Sequence, residues 1–289
     1  MIFKRNLRLV IDGETQTPLN VEHLKIAFNV QKITSSVSNK AQISVYNLKE
    51  STRQIIKERG QYVLLEGGYN DEYNTLFAGD IYNIFHRREE SDIITEIYAS
   101  TADLVSKKTV VNKTFPKDRN TPLDQVLFLV DEMVAIDHKL AIDVIEGIDG
   151  LDGNSRAVTM NGNARYEMDK IARNYGLEWS INDNRFVMIK SGEPLKRTTT
   201  ISSQNGMVGN AIVTETGGVM FSSLLNPNLN PMEKVKVLSD FADVNMAGLE
   251  NTKRDTDLGG GEFEMVNVTH IGDNRDGKFL TVVEATRLL

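Results

Sequence analysis

NIFHRREESDIITEIYA at residues 83–99 and NVTHIGDNRDGKFLTVVEA at residues 267–285 decide the fold, because they describe a similar hairpin in two places. In each, a strand that ends in Asn-aliphatic-x-His leads through a charged turn to an aliphatic strand that ends in Ala. Four matching positions can also arise by chance, and that alternative stays open. The repetition predicts two related β units, one in each half of the chain.

The regions around both hairpins show the period of two that is typical of half-buried strands. Apolar residues alternate with polar or small ones over residues 24–30. Further strands are predicted at residues 62–66, 76–85, 92–99, 211–214, 219–224, 235–238, 262–270 and 279–286. One helix interrupts the first half, from a cap at Ser51 or Thr52 to Gly60. Short strands separated by turns fit an antiparallel barrel or sandwich.

The middle of the chain has the periodicity of helices instead. Thr121 and Pro122 predict the start of one helix, whose apolar stripe includes Leu127. A second helix is expected over residues 164–175, ending at Gly176. Strands before and after this helix complete a small β-α-β-β unit. The middle third is therefore predicted to be an α/β insertion.

The predicted fold class is mixed but mainly β, with two related antiparallel β-barrel (tube-type) domains that flank the α/β insertion. Residues 1–105 are predicted to form the first barrel, 106–195 the insertion and 196–289 the second barrel. Residues 243–261 carry few large apolar side chains and end in three glycines, so a projecting loop is expected. Duplicated barrels favour ring assembly, since three copies of two like domains give six nearly equivalent units.

The composition excludes several classes of protein. The 289 residues carry 33 Lys and Arg against 40 Asp and Glu, a net charge of −7. This acidic balance argues against binding to nucleic acid through phosphate contacts, which needs clustered Lys and Arg. The lack of cysteine excludes disulfides and thiolate sites and fits synthesis in a reducing cytoplasm. No apolar run approaches the roughly 20 residues that span a membrane, and no signal peptide is expected.

The adjacent basic pairs of the first half are Lys4-Arg5, Arg87-Arg88 and Lys107-Lys108. Each lies beside a strand-like pattern, so all three are interpreted as solvated strand ends rather than as part of a helix face. The single tryptophan, Trp179, falls on an alternating strand and is predicted to pack in a core.

No group of residues predicts catalysis, a cofactor or a metal. The four histidines, His23, His86, His138 and His270, are scattered and lack the spacing of a metal site. The acidic stretches at 149–154 and 273–277 lack the ligand spacing of a calcium loop and are interpreted as tight turns. No nucleophile elbow or phosphate-binding loop is present, and nothing singles out a glycosidase carboxylate pair. The predicted catalytic, cofactor-binding and metal residues are accordingly none.

Several stretches resemble a known family. Leu64-Leu65-Glu66-Gly67-Gly68-Tyr69 and Leu76-Phe77-Ala78-Gly79-Asp80-Ile81 resemble the first barrel of the baseplate (tail) hub proteins of tailed bacteriophages. Residues 205–209, 218–227 and 270–275, which include Leu-Leu-Asn-Pro and His-x-Gly-Asp-Asn, are similar to the second barrel. The resemblance implies a trimeric hub with two tube-like barrels per chain and carries over no catalytic residue. Residues 243–261 are long for this family, which puts any detailed contacts there in doubt.

The leading hypothesis is a structural virion protein of the tail baseplate, made in the host cytoplasm. It would be a homotrimeric hub that adapts the sixfold tail tube to the threefold spike and surrounds the DNA channel. The expected partners are the tail tube or a tube-terminal protein, the spike or needle protein and other baseplate proteins. Neither sequence-specific nucleic-acid binding nor membrane insertion is expected. The alternatives are a tail-associated cell-wall hydrolase or carbohydrate-binding component, and the hub of a contractile secretion spike.

Charge gives one further expectation, about the channel. Three chains of −7 would carry −21, and a wall without basic clusters would let DNA pass without sticking. The channel wall is therefore predicted to be net negative, with Arg87-Arg88 and Lys107-Lys108 away from it. The alternative is that the acidic excess only keeps the surface soluble.

Overall fold

The computed structural model describes residues 4–12, 18–34, 38–59, 62–70, 72–117, 119–153, 156–214, 217–239, 242–244 and 260–288. Within these residues the chain is mainly β, with large antiparallel sheets, as predicted. No helix among them is long and apolar enough to cross a membrane.

The first third of the chain forms seven strands and one helix. The strands are β1 (Arg5–Asp12), β2 (Leu19–Val21), β3 (Ile26–Ile33), β4 (Lys40–Tyr46), β5 (Tyr62–Tyr69), β6 (Asn74–Glu89) and β7 (Asp92–Ser100). Helix α1 (Glu50–Arg59) connects β4 to β5, where the sequence predicted a helix. The hairpin is longer than expected, because Arg87, Arg88 and Glu89 still pair with β7, which leaves a short turn at Glu90 and Ser91.

The middle third contains the remaining helices. Its elements are α2 (Asp103–Lys108), β8 (Val110–Phe115), α3 (Pro122–Ile136), β9 (Ala141–Ile145), β10 (Val158–Asn163), α4 (Ala164–Tyr175), β11 (Leu177–Asn182) and β12 (Arg185–Lys190). Thr121 caps α3 in a capping box with Asp124, and α4 ends at Gly176 in the left-handed conformation. Both helix predictions are confirmed, except that Leu127 is exposed.

The strands of the middle third form two small sheets, in which β8 pairs with β10 and β12 lies between β11 and β9. The predicted β-α-β-β unit is thus present in sequence order, but its first strand lies in a different sheet from the other two. This pairing involves β8 and β9, which the sequence pattern did not predict.

The last third returns to strands. They are β13 (Leu195–Ser202), β14 (Met207–Val213), β15 (Val219–Leu224), β16 (Glu233–Leu238), β17 (Ala242–Val244), β18 (Gly261–Asp273) and β19 (Phe279–Arg287). Of the projecting loop predicted at 243–261, residues 245–259 lie outside the described residues.

One 14-stranded sheet runs through both ends of the chain. Its first half follows the order β1-β5-β6-β7-β4-β3, and its second half follows the same order as β13-β16-β18-β19-β15-β14. The halves join where β18 pairs antiparallel with β3. One pairing differs in direction, since β1 is antiparallel to β5 whereas β13 is parallel to β16.

The two predicted barrels are not closed in this chain. Among the described residues, no strand pairing returns from one edge of either half to the other. Instead each half curls around its own apolar cluster, because alternate residues of distant strands such as Leu9 of β1 and Val30 of β3 pack into one core. The second half has a separate cluster that includes Phe221, Phe263 and Val283. A third cluster joins α3 and α4 to the small sheets.

Candidate assembly interface

The two hairpins match in more detail than the sequence pattern showed. In β6–β7 the register shifts between Ile81 and Asn83, and in β18–β19 it shifts between Met265 and Asn267, so each strand bulges directly before its asparagine. The histidine of each hairpin then faces a threonine on the neighbouring strand. Nδ1 of His86 lies 3.1 Å from Oγ1 of Thr95, and Nδ1 of His270 lies 2.9 Å from Oγ1 of Thr281.

The two histidines differ in burial, because within the described residues only the β18–β19 hairpin has a strand, β3, paired alongside its histidine. His270 is 0% exposed, and Val30 of β3 lies opposite it. Burial lowers the pKa of His270 well below its ordinary value, and the nearby Lys32 ammonium lowers this pKa further. His86 occupies the matching place on β6 and is exposed.

The outer part of β6 is a sheet edge. Residues 81–89 pair with β7 on one side, and no other strand of the described chain pairs with them. Two aromatic side chains of this stretch are half exposed, Tyr82 at 48% and Phe85 at 51%. Phe85 meets Tyr98 edge to face, with ring centroids 5.8 Å apart. A long edge with exposed aromatic residues is a surface that invites strand addition.

Strand β14 lies at the other end of the eight-strand run β14-β15-β19-β18-β3-β4-β7-β6. It carries β17 on its outer side, in a short parallel pairing of Ala211, Ile212 and Val213 with residues 242–244. Val208 of β14 is exposed. The two ends of this run of eight strands are thus different surfaces, an open edge over residues 81–89 of β6 and an edge of β14 that β17 covers over three residues.

The turn after β18 ties the two halves together. Asn274 accepts a hydrogen bond from the Ile26 backbone N–H (2.9 Å) and donates one to the Leu24 carbonyl (2.8 Å). Arg5 donates to the carbonyls of Asp273, Asp276 and Gly277. Residues 273–277 therefore form a structural turn, as the sequence predicted, and their side chains are used within the protein.

A second junction joins the middle third to both halves. Lys32 of β3 is 0% exposed, and its Nζ donates to Oδ2 of Asp183 (2.5 Å) and to Oδ1 of Asn230 (3.1 Å). Oδ1 of Asp183 accepts from the Ala78 N–H at 3.2 Å. The buried ammonium of Lys32, in the first half, thus binds Asp183 of the middle third and Asn230 of the second half.

The β11–β12 turn supplies Asp183 and two more contacts. Asp183 and Asn184 both have positive φ, as tight hairpin turns require. Asn182 accepts from the Asn39 side chain (2.6 Å), and Asn184 donates to the Tyr62 hydroxyl (2.5 Å). Burial raises the pKa of Tyr62 to about 12, so this hydroxyl stays protonated near neutral pH.

A cleft of about 580 Å³ lies where the three parts meet. Within it, Arg197 makes two 3.0 Å bonds to the Asp143 carboxylate and a 3.4 Å contact with Glu233. The Arg197 bonds lower the pKa of Asp143, whereas burial raises the pKa of Glu233. The carboxylates that line the cleft are paired, Asp143 and Glu233 with Arg197 and Asp183 with Lys32, so these ion pairs hold the parts together.

The other residues singled out in the sequence are dispersed. Trp179 is buried, stacks on Phe186 and donates to Asp169 at 2.9 Å, which confirms its predicted core position.

Lys107 and Lys108 form the last turn of α2, so their interpretation as a strand end was wrong. In the described part of the chain, no three His, Asp or Glu side chains lie close enough together to hold a metal ion. Asn154, at the end of the acidic stretch 149–154, lies outside the described residues.

The fold is similar to that of several phage tail proteins. The structure is similar to that of the prophage MuSo2 43 kDa tail protein from Shewanella oneidensis, with a TM-score of 0.62 at 8% identity over 97% of this chain and 96% of that chain. It is similarly related to a tail protein from Neisseria meningitidis MC58, with a TM-score of 0.60 at 9% identity over 98% and 96% of the two chains.

A type VI secretion component of E. coli, c3393, has a TM-score of 0.59 at 12% identity over 96% of this chain and 76% of that chain. That protein is described as structurally similar to the T4 bacteriophage tail proteins gp27 and gp5. No curated protein sequence matches the chain.

The family model of the baseplate hub gp41 matches residues 7–246. The chain belongs to this baseplate hub family, which confirms the resemblance noted in the sequence and makes the chain a virion-associated structural component of the tail.

Proposed function

We propose that three copies of this chain form a ring that joins the sixfold tail tube to the threefold spike and surrounds the DNA channel. The observation that carries this proposal is the repeated strand order within one continuous sheet. Each chain supplies two like units, β3-β4-β7-β6 and β14-β15-β19-β18, so a trimer presents six to a tube above and three identical chains to a spike below.

The strand count fits a channel. Eight neighbouring strands per chain become 24 in three chains. At about 4.8 Å between strands and a tilt of about 40°, a closed ring of this size has a backbone diameter of roughly 45–50 Å. Barrels of 16–18 strands already leave an aqueous channel. The two-barrel arrangement expected from the sequence is thus replaced by a larger shared barrel to which each half contributes four strands.

The face of these strands opposite the apolar clusters supports passage of DNA. It carries many uncharged polar side chains, namely Asn29, Gln31, Gln42, Ser44, Ser222 and Thr269. The charged side chains on the same face include Lys40, Glu284 and Arg87, which is paired with Glu89 and Glu96. We therefore propose a lining that is polar and nearly neutral, which modifies the expectation of a net negative wall free of Arg87. Few unpaired cations means few phosphate contacts and little retention of DNA.

The domain boundaries predicted from the sequence, at residues 105 and 195, stay a proposal. The three separate apolar clusters support this division. In this arrangement the α/β part, residues 106–195, sits at the periphery of the ring and is fastened to it by Lys32 and Asp183.

We further propose that the chain is not an enzyme and that its partners are the tail tube or a tube-terminal protein, the spike and other baseplate proteins. The rival function, cell-wall hydrolysis or carbohydrate binding, requires a carboxylate cleft, and the carboxylates of the 580 Å³ cleft are paired. A zymogram with purified chain is expected to show no clearing of peptidoglycan. Reproducible cleavage that is lost on changing a single Asp or Glu would overturn this.

The hub of a contractile secretion spike is the remaining alternative. The type VI secretion component supports it only through the similarity of the fold. The physics of the ring is the same in both settings. The genes next to this one distinguish them, because a phage hub is expected beside tail-tube and spike genes of a virion.

The isolated protein is expected to give about three times 32.4 kDa by light scattering, or a monomer that becomes a trimer when the spike partner is added. Negative-stain micrographs of that species should show a threefold ring with a pore. A stable dimer under both conditions would contradict the proposal, and salt-sensitive DNA binding by the ring would contradict the neutral lining.

A further inference from the structure

We propose that, in the ring inferred above, the β6 edge of one copy pairs antiparallel with β14 of the next copy and displaces β17 from it. This inference rests on the proposed trimer and adds the identity of the two surfaces that meet. The partner is a second copy of this chain, and β17 is a temporary cover of the receiving edge.

The correspondence between the halves fixes the register. Ala99 of β7 and Ala285 of β19 are equivalent, because each ends its hairpin. Ala99 pairs with Ala41 of β4, and Ala285 pairs with Val219 of β15, so β4 and β15 are equivalent strands. Ala41 in turn faces Val30, whereas Val219 faces Val213. Val30 of β3 and Val213 of β14 are therefore equivalent positions.

Within the chain, β18 already makes the joint that the ring requires. His270 lies opposite Val30, and Ile271 lies opposite Asn29. By the same correspondence, His86 of one copy lies opposite Val213 of the next, and Arg87 lies opposite Ile212. The joint between copies would then repeat the joint within each copy, which is how like units close a ring.

The position of β17 makes it a cover of this edge. Residues 242–244 pair with Ala211, Ile212 and Val213, the segment that the neighbouring β6 would occupy. A strand has one free side once it is paired on the other, so β17 and the incoming β6 exclude each other. β17 pairs in parallel over three residues. In the proposed register β6 would pair antiparallel over residues 86–89 and 210–213, and it is expected to replace β17 because antiparallel pairs are slightly more stable per residue. In the single chain the same pairing shields the edge from uncontrolled strand addition.

Engineered cysteines test the joint directly, because the natural chain has none. In the full-length double variant Arg87→Cys/Ile212→Cys, oxidation is expected to link copies into dimers and closed trimers on a non-reducing gel, since facing residues on paired strands lie within disulfide range. Asn29→Cys/Ile271→Cys is the matched control, which should close within one chain and leave its mass unchanged. Arg87→Cys/Met220→Cys places the second thiol one strand further in and should not link.

A second variant tests β17. In Ile212→Cys/Asp243→Cys, oxidation fastens β17 to β14, and the chain is expected to stay monomeric until a reductant restores assembly. The reduced sample verifies that the variant folds. If the wild type forms trimers but the Arg87→Cys/Ile212→Cys variant gives no link between copies, or if the oxidised Ile212→Cys/Asp243→Cys chain still forms trimers, this joint is overturned while the hub stays intact. A wild-type chain that never exceeds a monomer, even with its spike, would overturn the ring and the joint together.

Discussion

Replacing Lys32 with methionine is expected to lower the free energy of unfolding by about 3 kcal/mol. Methionine keeps most of the length of the side chain but removes the charge that pairs with Asp183, whose side chain is only 15% exposed. That carboxylate keeps the Ala78 N–H, yet it loses its countercharge in a setting where water compensates poorly. The loss should appear as a lower denaturant midpoint.

Two variants separate this cause from a simple packing change. Lys32→Met/Asp183→Asn removes both charges and is expected to recover most of the loss, because an uncharged amide is cheaper to bury. Lys40→Met, on the exposed face of the neighbouring strand, should change stability by less than about 0.5 kcal/mol. A Lys32→Met midpoint equal to that of the wild type would show that the ion pair contributes no net stability.

Acidification is expected to destabilise the wild type relative to His270→Gln. The pKa of His270 lies well below 6.5 in the folded chain, since the ring is buried and Lys32 lies nearby. The unfolded chain therefore takes up a proton below about pH 6.5 that the folded chain does not bind. Between about pH 6.5 and the lower pKa of His270 in the folded chain, each unit by which the pH falls is expected to lower the free energy of unfolding by about 1.4 kcal/mol.

The comparison has to be made as a difference between variants. Burial raises the pKa values of Glu233 and Glu264. The folded chain therefore holds protons that the unfolded chain has released, so these two residues make the protein less stable as pH rises, opposite to the effect of His270. These glutamates are present in both proteins, so subtraction removes them. His138→Gln, at an exposed position, serves as the histidine-to-glutamine control. Parallel profiles for wild type and His270→Gln would contradict the buried-histidine account.

Local patterns predicted the elements well. The capping residues of α3 and the glycine that ends α4 act through their immediate neighbours, so the sequence alone locates both helices. The two hairpins were recognisable because their Asn and His positions fit a shared bulge and a shared histidine–threonine contact. These features depend on interactions within about 20 residues.

Long-range pairing was not predictable in the same way. The pairing of β18 with β3 joins residues more than 230 positions apart. The sequence of neither strand predicts which strand it pairs with. Lys32 did leave a signal, since it occupies the core-facing register that follows Ile26, Phe28 and Val30. A lysine in that register is rarely buried without a partner, but the sequence does not reveal that the partner is Asp183.

The joint between β18 and β3 also bears on how rapidly a ring can form. Six separate units would have to meet in five encounters before the last joint closed the ring, and each encounter would cost translational and rotational freedom. In the proposed ring, three of the six joints would be the β18–β3 pairing made within single chains as they fold, where the linked unit is present at a high effective concentration. Only three bodies remain to meet, and the joints around the ring alternate between covalently linked and free. Such alternation would make every second joint different, so that a ring of six similar units would have threefold symmetry, which a threefold spike can match.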